Sequence, residues 1–493
     1  MYKRVLLPDE ISLLAIEVKG VMMAFEKAGK QIYLVGGGVR AILRGQVPHD
    51  CDFTTNATPE EILKICEKWE PFYDNAYGTV GMPIERERKE IYEITPFRTE
   101  KGYSDRRRPD VVEWGSSLEE DVKRREFTMN AIVIGREGKD YVVIDYFEGI
   151  EDFGKGIIRA VGDAKERFAE DALRMMRAVR FGAQMGLAIE EKTFLGLSEN
   201  APLLSQISKE RIRDELLKIM GRDKAAEGVD VLVKTGMMKE IMPEVLETIG
   251  VWQTGHHSLD VYSHMLEALR NCPSSNPIVR LATFLHDVGK PRTKRLRCIK
   301  CGLIMKEGDK LQAGESAKLT QFKCPKCGTL QSEHEAGTFY GHEVVGARMA
   351  EEICERLRLP KKDKEKIVTL IRWHMFSYDS KMTDASIRRF IRRIGKENIN
   401  DMMVLRIGDR KGGGSKTTSW RLMELQKRIG EQLFEPMEIN DMAVNGKDVM
   451  EKLKIEPGRK VGEVLKALFE EVLEDTSKNT KEYLLKRVEE LGN

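Results

Sequence analysis

An α+β fold is predicted for this chain, with a mixed α/β head followed by an all-helical remainder that carries one small insertion. Three observations predict it. Short β-branched runs between glycine and proline turns fill the first 150 residues, whereas from about Asp163 apolar residues recur at helical spacing to the end. Between Arg295 and Ala336 that spacing gives way to four cysteines, glycines and lysines. At 493 residues the chain has room for about three domains at roughly 150 residues each. Hydrophobic residues make up 41% and charged residues 33%, the balance of a folded globular chain. Lys and Arg number 82 against 80 Asp and Glu, a net charge of +2, which excludes a wholesale basic coat but leaves room for local basic patches. No apolar run approaches the roughly 18 residues that span a membrane. Asp9, Glu10 and Glu17 exclude a signal peptide, so a cytoplasmic location is the expectation.

The head begins with a strand at Ile32–Val35 that enters the turn Gly36-Gly37-Gly38. A helix starts at Val39 and stops near Gly45 and Pro48. Asp50 to Phe53 alternates polar and apolar as a half-buried strand does. Thr58-Pro59-Glu60-Glu61 opens the next helix, with a capping threonine, proline at the first helical position and glutamate three residues after the cap. Strands follow at Tyr77–Gly81, Glu90–Phe97, Ala131–Ile134 and Tyr141–Asp145.

Gly36 to Ala41 formally fits a dinucleotide-binding glycine turn. However, the acidic residues come only about ten positions later, and no repeated parallel βαβ pattern follows. On a strand, Asp50 and Asp52 project to the same side, and two carboxylates that close repel unless cations sit between them. All-oxygen ligation favours Mg²⁺, with Glu93 as a third carboxylate; the alternative is a solvated strand face.

Asp171, Arg174, Arg177 and Arg180 recur every third residue on what reads as one helix, with no partner acids around Arg177 and Arg180. Guanidinium forks bind phosphate bidentately, so phosphate suits this row; a solvated face is the alternative.

Six of the eight histidines lie between 256 and 342, and His286-Asp287 closes the apolar run Leu281–Leu285. Four cysteines, Cys51, Cys66, Cys272 and Cys354, stand singly and are expected to be reduced. Cys298-x₂-Cys301 and Cys324-x₂-Cys327 form two pairs that suit tetrahedral Zn²⁺, with rubredoxin-like iron as the lesser alternative.

The run LVGGGVRAILRGQVPHDCDFTT, Leu34 to Thr55, resembles the nucleotide-binding motif of the class II tRNA nucleotidyltransferase and bacterial poly(A) polymerase family. The resemblance implies triphosphate contacts for Gly37 and Arg40, and catalytic Mg²⁺ at Asp50 and Asp52. Ala41 stands where the family often has an acid. DVKRREFTMNA resembles a second family segment, which makes Arg125 a nucleotide contact and puts Glu126 in place of the usual aspartate. EDALRMMRAVRFGAQMG resembles the segment that reads the incoming base, so Asp171 and Arg174 are expected to recognise the amino group and ring nitrogen shared by cytosine and adenine. ERIRDELLKIM and MAVNGKDVMEKL resemble the family's body and tail. Asp105 to Pro109 resembles the flexible loop associated with adding the terminal A.

The implied activity is template-independent addition of CCA to tRNA from CTP and ATP. Poly(A) polymerase or A-only addition is the alternative within the family, and an HD phosphohydrolase with an RNA-binding head is the alternative outside it. HHSLDVYSH, HDVGK, FYGHE, RWHMF and RIGDRKGGG resemble, in order, the HD phosphohydrolase pattern. That resemblance implies a divalent transition metal or Mg²⁺ at His257, His286, Asp287 and Asp409, with His342 and His374 extending the site. His256 and His264 are read as packing or surface. The expected division is a head at 1–155, neck and body at 156–250, an HD domain at 251–425 with the cysteine insertion at 295–336, and a tail at 426–493.

Overall fold

The computed structural model describes residues 1–48, 51–73, 78–85, 90–101, 111–115, 117–253, 259–305, 321–415 and 418–492. It contains two compact units, Met1–Pro243 and Glu244–Asn493.

The first unit is built on a mixed sheet of eight strands: β1 (Tyr2–Val5), β2 (Ile32–Val35), β3 (Asp52–Thr55), β4 (Phe72–Tyr73), β5 (Val80–Glu85), β6 (Glu90–Pro96), β7 (Val133–Glu137) and β8 (Asp140–Asp145). Their order is β1-β8-β7-β2-β3-β6-β5-β4. β2 runs antiparallel to β3, and β3 runs parallel to β6. A strand-to-strand reversal directly after the glycine turn is incompatible with a parallel dinucleotide fold. Period-two alternation covers both faces. Leu34, Phe53, Ile94, Ile134 and Val143 pack with Val18, Val21, Met22 and Phe25 of helix Ile16–Lys27. Val35, Val133, Val142 and Ile144 turn the other way, onto Phe97, Leu118 and Val122.

Local chemistry explains the boundaries. Thr58 Oγ1 accepts from Glu61 N while Glu61 returns a bond to Thr58 N, the expected capping box of helix Pro59–Ile65. The first helix after the glycine turn starts at Gly37, two residues before the expected Val39. β5 starts at Val80, with the expected start at Tyr77 outside the described residues, and β7 starts at Val133 rather than Ala131, because Thr128–Asn130 forms a short 3₁₀ turn first. Helices then dominate, among them Ala164–Glu170, Leu173–Met185, Lys209–Met220 and Ala225–Lys234.

In the second unit, helices Val261–Arg270, Pro277–Leu285, His342–Arg356, Lys361–Trp373 and Ile399–Gly412 pack together. The expected insertion interrupts them. A short strand at Arg295–Arg297 pairs with Gly337–Thr338, closing the small module at its base. The last helices, Gly446–Leu453, Arg459–Glu474 and Lys481–Gly492, share a core of Val449, Val464, Leu468, Phe469, Val472 and Leu484. Among the described residues no helix is long and apolar enough to cross a membrane.

Candidate functional site

Asp52 is exposed at the start of β3, and its direct neighbour in the parallel register is the exposed Glu93 on β6. Two carboxylates side by side across strands destabilise the sheet unless a cation joins them. Gly36 turns at φ 66°, in the left-handed region that favours glycine, and a Cβ there would lie 3.5 Å from Asp52 Oδ2. The turn thus brings the carboxylate over the start of the helix that carries Gly37 and Arg40. This donor set is all oxygen and fits Mg²⁺. Asp50 lies outside the described residues, as do His257 and the segment 105–109.

Arg40 is half-buried and donates to Asn130 Oδ1. Burial, with Arg177, Arg180 and Arg44 crowding it, pushes its pKa down to about 10. The Arg40, Arg177 and Arg180 guanidiniums gather around the Phe181 ring, 5.2, 6.0 and 4.7 Å from its centroid. Crowded cations of this kind suit an anion.

Two expectations are corrected here. Asp171 is not on the arginine helix. It terminates helix Ala164–Glu170, and its Oδ1 accepts from Leu173 N at 3.0 Å to open the next helix. Burial raises its pKa. Nor do the arginines lack acids. Arg174 donates to Glu170 at 2.6 Å, Arg177 to Glu126 at 2.7 Å, and Arg180 lies 3.2 Å from Glu215. Glu126 and Glu215 come from other elements, so helical spacing does not reveal them.

Glu126 is the hub of this network. Its Oε1 accepts from Asn130 Nδ2 at 2.9 Å as well as from Arg177, linking the glycine-turn arginine to the arginine helix. Burial opposes its charge, but Arg177, Arg174 and Arg125 outweigh burial and hold its pKa at about 2. Asp121 is a positioning residue that sequence reading missed. Fully buried, it accepts from Thr54 Oγ1 of β3 at 3.0 Å and from Arg124 at 2.7 Å, and lies 3.6 Å from Arg125. Burial opposes its charge as well, but the two arginines prevail and lower its pKa. Its i, i+3 and i, i+4 spacing to Arg124 and Arg125 was the available signal.

In the second unit, six side chains converge in two triads, His264, His286 and Asp409, and Asp287, His342 and His374. The ligand atoms of each triad lie within 4.8 Å of one another. Asp287 joins them. Its Oδ2 lies 3.2 Å from His286 Nε2 and 3.3 Å from His264 Nε2, and its Oδ1 lies 3.2 Å from His342 Nε2. His264, read from sequence as packing or surface, therefore belongs to the cluster.

Nδ1 of His286, His342 and His374 faces the carbonyl of Thr283, Phe339 and Ile371 at 2.7, 2.8 and 2.7 Å. A proton on each Nδ1 leaves the Nε2 lone pair directed at the centre. His342 and His374 then face each other Nε2 to Nε2 at 3.3 Å. Two lone pairs at that separation fit a cation between the rings, and imidazole with carboxylate suits transition metals broadly. Burial disfavours charge on His286, yet Asp287 and Asp409 outweigh it and push its pKa up to about 10, so a metal there would have to displace its Nε2 proton; burial pushes His374 down to about 3. A cleft of about 680 Å³ opens over the cluster, lined by Lys290, Tyr340, Arg406 and Arg410 among others.

The four paired cysteines also converge, with all Sγ atoms within 4.8 Å and no disulfide. Both halves are built alike. Cys298 N bonds Leu303 O at 2.8 Å and Gly302 N bonds Cys298 O at 3.0 Å; Cys324 N bonds Thr329 O and Gly328 N bonds Cys324 O, both at 2.9 Å. Gly302 and Gly328 sit at φ 70° and 67°, which lets each loop curl back around its thiols. Hydrogen bonds from Thr329 lower Cys327 to about 6, toward the thiolate a metal needs. The single cysteines are buried thiols; burial pushes Cys66 and Cys354 up to about 12.

Family models match three segments: the Poly A polymerase head domain at 32–159, the Probable RNA and SrmB- binding site of polymerase A at 186–248, and tRNA nucleotidyltransferase domain 2 at 329–488. A CCA-adding enzyme of Lactobacillus gasseri is 45% identical over 223 residues, covering 45% of this chain and 54% of that protein. One from Leuconostoc mesenteroides is 41% identical over 235 residues, 47% of this chain and 55% of that protein. The chain thus spans about half the length of the curated relatives it matches. Among solved structures, the Bacillus stearothermophilus CCA-adding enzyme in complex with CTP aligns over 98% of both chains, with a TM-score of 0.66 and 26% identity. The Thermotoga maritima CCA-adding enzyme, solved with tRNA, shares the fold at a TM-score of 0.59 and 17% identity, covering 100% of both chains.

Proposed function

Because the chain belongs to the poly A polymerase and tRNA nucleotidyltransferase family, we propose that it adds CCA to the 3′ ends of tRNA, using CTP and ATP without a nucleic-acid template. The observation that carries this reading is the Asp52–Glu93 register beside Gly36, with the Arg40, Arg177 and Arg180 cluster in the same unit. Residues 1–155 are assigned as head, 156–250 as neck and body, 251–425 as HD domain and 426–493 as tail.

Asp52, with Asp50 and Glu93, would hold Mg²⁺, which supplies charge neutralisation while the tRNA 3′-hydroxyl displaces pyrophosphate from the α-phosphate. Gly37, Arg40, Arg125, Arg177 and Arg180 are assigned to the triphosphate. Arg40 and Arg177 are oriented through Asn130 and Glu126, so positioning and charge would account for much of the rate.

Asp171 accepts and Arg174 donates, which complements the amino group and ring nitrogen of cytosine and adenine. Uracil and guanine would turn a carbonyl toward the carboxylate. Arg174 is buried and bonded to Glu170, Arg167 O and Arg124 O, which holds its guanidinium in place. Asp171→Ala is expected to narrow the preference for CTP and ATP over UTP and GTP by about 5- to 150-fold, the equivalent of about 1–3 kcal/mol. Comparing kcat/KM for the four nucleotides on tRNA ending in C checks this; equal losses for all four reject the assignment.

The double triad favours a second activity, hydrolysis of a 3′-phosphate or a 2′,3′-cyclic phosphate on RNA. A divalent metal there would acidify water and polarise the phosphoryl group. Water adds to phosphorus, the P–O3′ bond breaks, and O3′ takes the proton, releasing inorganic phosphate from a 3′-phosphate or leaving a 2′-phosphate from the cyclic ester. The product thereby gains the 3′-hydroxyl that the head uses. Cys298, Cys301, Cys324 and Cys327 are assigned to Zn²⁺. About one zinc per chain is expected by elemental analysis, and Cys298→Ser should lower it while raising hydrogen exchange near 295–305 and 321–338. Unchanged zinc in the variant, or iron in its place, rejects the assignment.

A further inference from the structure

Beside the histidine cleft lies a second cavity of about 480 Å³, and Glu343 and Met375 line both. We propose that this cavity is a nucleobase subsite, seating the terminal base of an RNA 3′ end whose phosphate lies in the histidine cleft. The proposal rests on the phosphoesterase reading of the double triad and names the part of the substrate that triad does not touch.

Chain connectivity ties the two cavities together. His374 terminates helix Lys361–Trp373, so a residue of the metal cluster directly follows Trp373, which lines the second cavity. On the opposite wall His342 belongs to the cluster and Glu343 follows it; Glu343 Oε1 lies 3.7 Å from Arg372 Nη1. Consecutive residues are about 3.8 Å apart at Cα, so the walls of the two cavities adjoin. Arg406 spans the junction. It donates to Asp409 Oδ2 at 2.6 Å, and its guanidinium lies 5.6 Å from the Phe376 ring centroid.

The lining has the chemistry of a base site. Phe376 and Phe390 pack with centroids 5.0 Å apart at 58°, which presents ring edges and faces together. The Arg372 and Arg393 guanidiniums lie 4.5 and 5.6 Å from the Trp373 centroid. Aromatic faces interleaved with guanidiniums stack bases and offer donors to their edges. Ile387, Ile394 and Leu425 close the cavity with apolar surface. Arg393 is exposed, so its removal leaves the core intact.

The test compares full-length parent, Phe390→Ala and Arg393→Glu loaded with Mn²⁺. One substrate is adenosine 2′,3′-cyclic phosphate, and the other is glycerol 1,2-cyclic phosphate, which carries the same ring without a base. The expected result is a KM for the cyclic nucleotide raised about tenfold or more in both variants, with kcat and glycerol-phosphate turnover within about twofold of the parent. Calorimetric binding of adenosine 3′-monophosphate in EDTA should weaken in parallel. If the parent hydrolyses neither substrate but the binding loss is seen, the phosphoesterase reading falls and the subsite stands. Unchanged KM and binding in the variants, equal losses on both substrates, or no binding by the parent overturns the subsite.

Discussion

Replacing Asp50 and Asp52 together with alanine is expected to lower CTP and ATP incorporation by on the order of 10³-fold or more, while tRNA affinity stays within about threefold. The reason lies in the register. Asp52 stands beside Glu93 at the edge of the glycine turn, and a cation between the two carboxylates would offset their mutual repulsion. Removing the aspartates leaves Glu93 alone, too few oxygens for Mg²⁺ and nothing to offset charge on the departing pyrophosphate. The Arg40, Arg177 and Arg180 cluster is untouched by the change. Initial rates of labelled-nucleotide incorporation, with gel-shift binding of tRNA alongside, check the outcome. A loss below tenfold contradicts the metal assignment.

The second large effect is expected in the other unit. His286→Ala with Asp287→Ala should bring phosphate release from 2′,3′-cyclic nucleotides down to background, and should leave CTP and ATP addition within about twofold. Asp287 is the shared member, with one oxygen toward each triad, so its loss takes a ligand from both metal positions at once. His286 is held by Thr283 O with its Nε2 in the cluster. Phosphate release from the Mn²⁺- or Ni²⁺-loaded protein, with metal content by elemental analysis, checks both halves. Full release by the double variant, or none by the parent with any divalent metal, reduces this centre to a structural or RNA-binding role.

Local signals in the sequence carried far, and their failures share a cause. The strand at Ile32–Val35, the box at Thr58 and Glu61, and the two cysteine knuckles are written within a few residues, where spacing and chemistry act directly. Partnerships between elements are not written that way. Arg177 looked unpaired because Glu126 is 51 residues away, and Thr54, the β3 partner of Asp121, is 67 residues away. The helix break at Asp171 was hidden by an unbroken arginine spacing of three, while the cap bond to Leu173 decides where the helix begins. Among the histidines at 256, 257 and 264, spacing alone did not show that His264 enters the cluster. It sits on helix Val261–Arg270, which packs against Ile399–Gly412 and so faces Asp409 at 3.2 Å.

The most direct measurement is the sequence of tRNA 3′ ends after the full-length protein is incubated with Mg²⁺ and CTP, ATP, UTP and GTP, singly and together. Three substrates are needed: tRNA lacking CCA, tRNA ending in C and tRNA ending in CC. The account predicts that CTP alone extends the first two to CC and stops, that ATP alone adds a single A only to the CC end, and that the full mixture yields CCA with no further growth. Untemplated A tracts on every substrate, or a single A added only to CC with no use of CTP, would contradict CCA addition and identify a poly(A) polymerase or an A-adding enzyme instead.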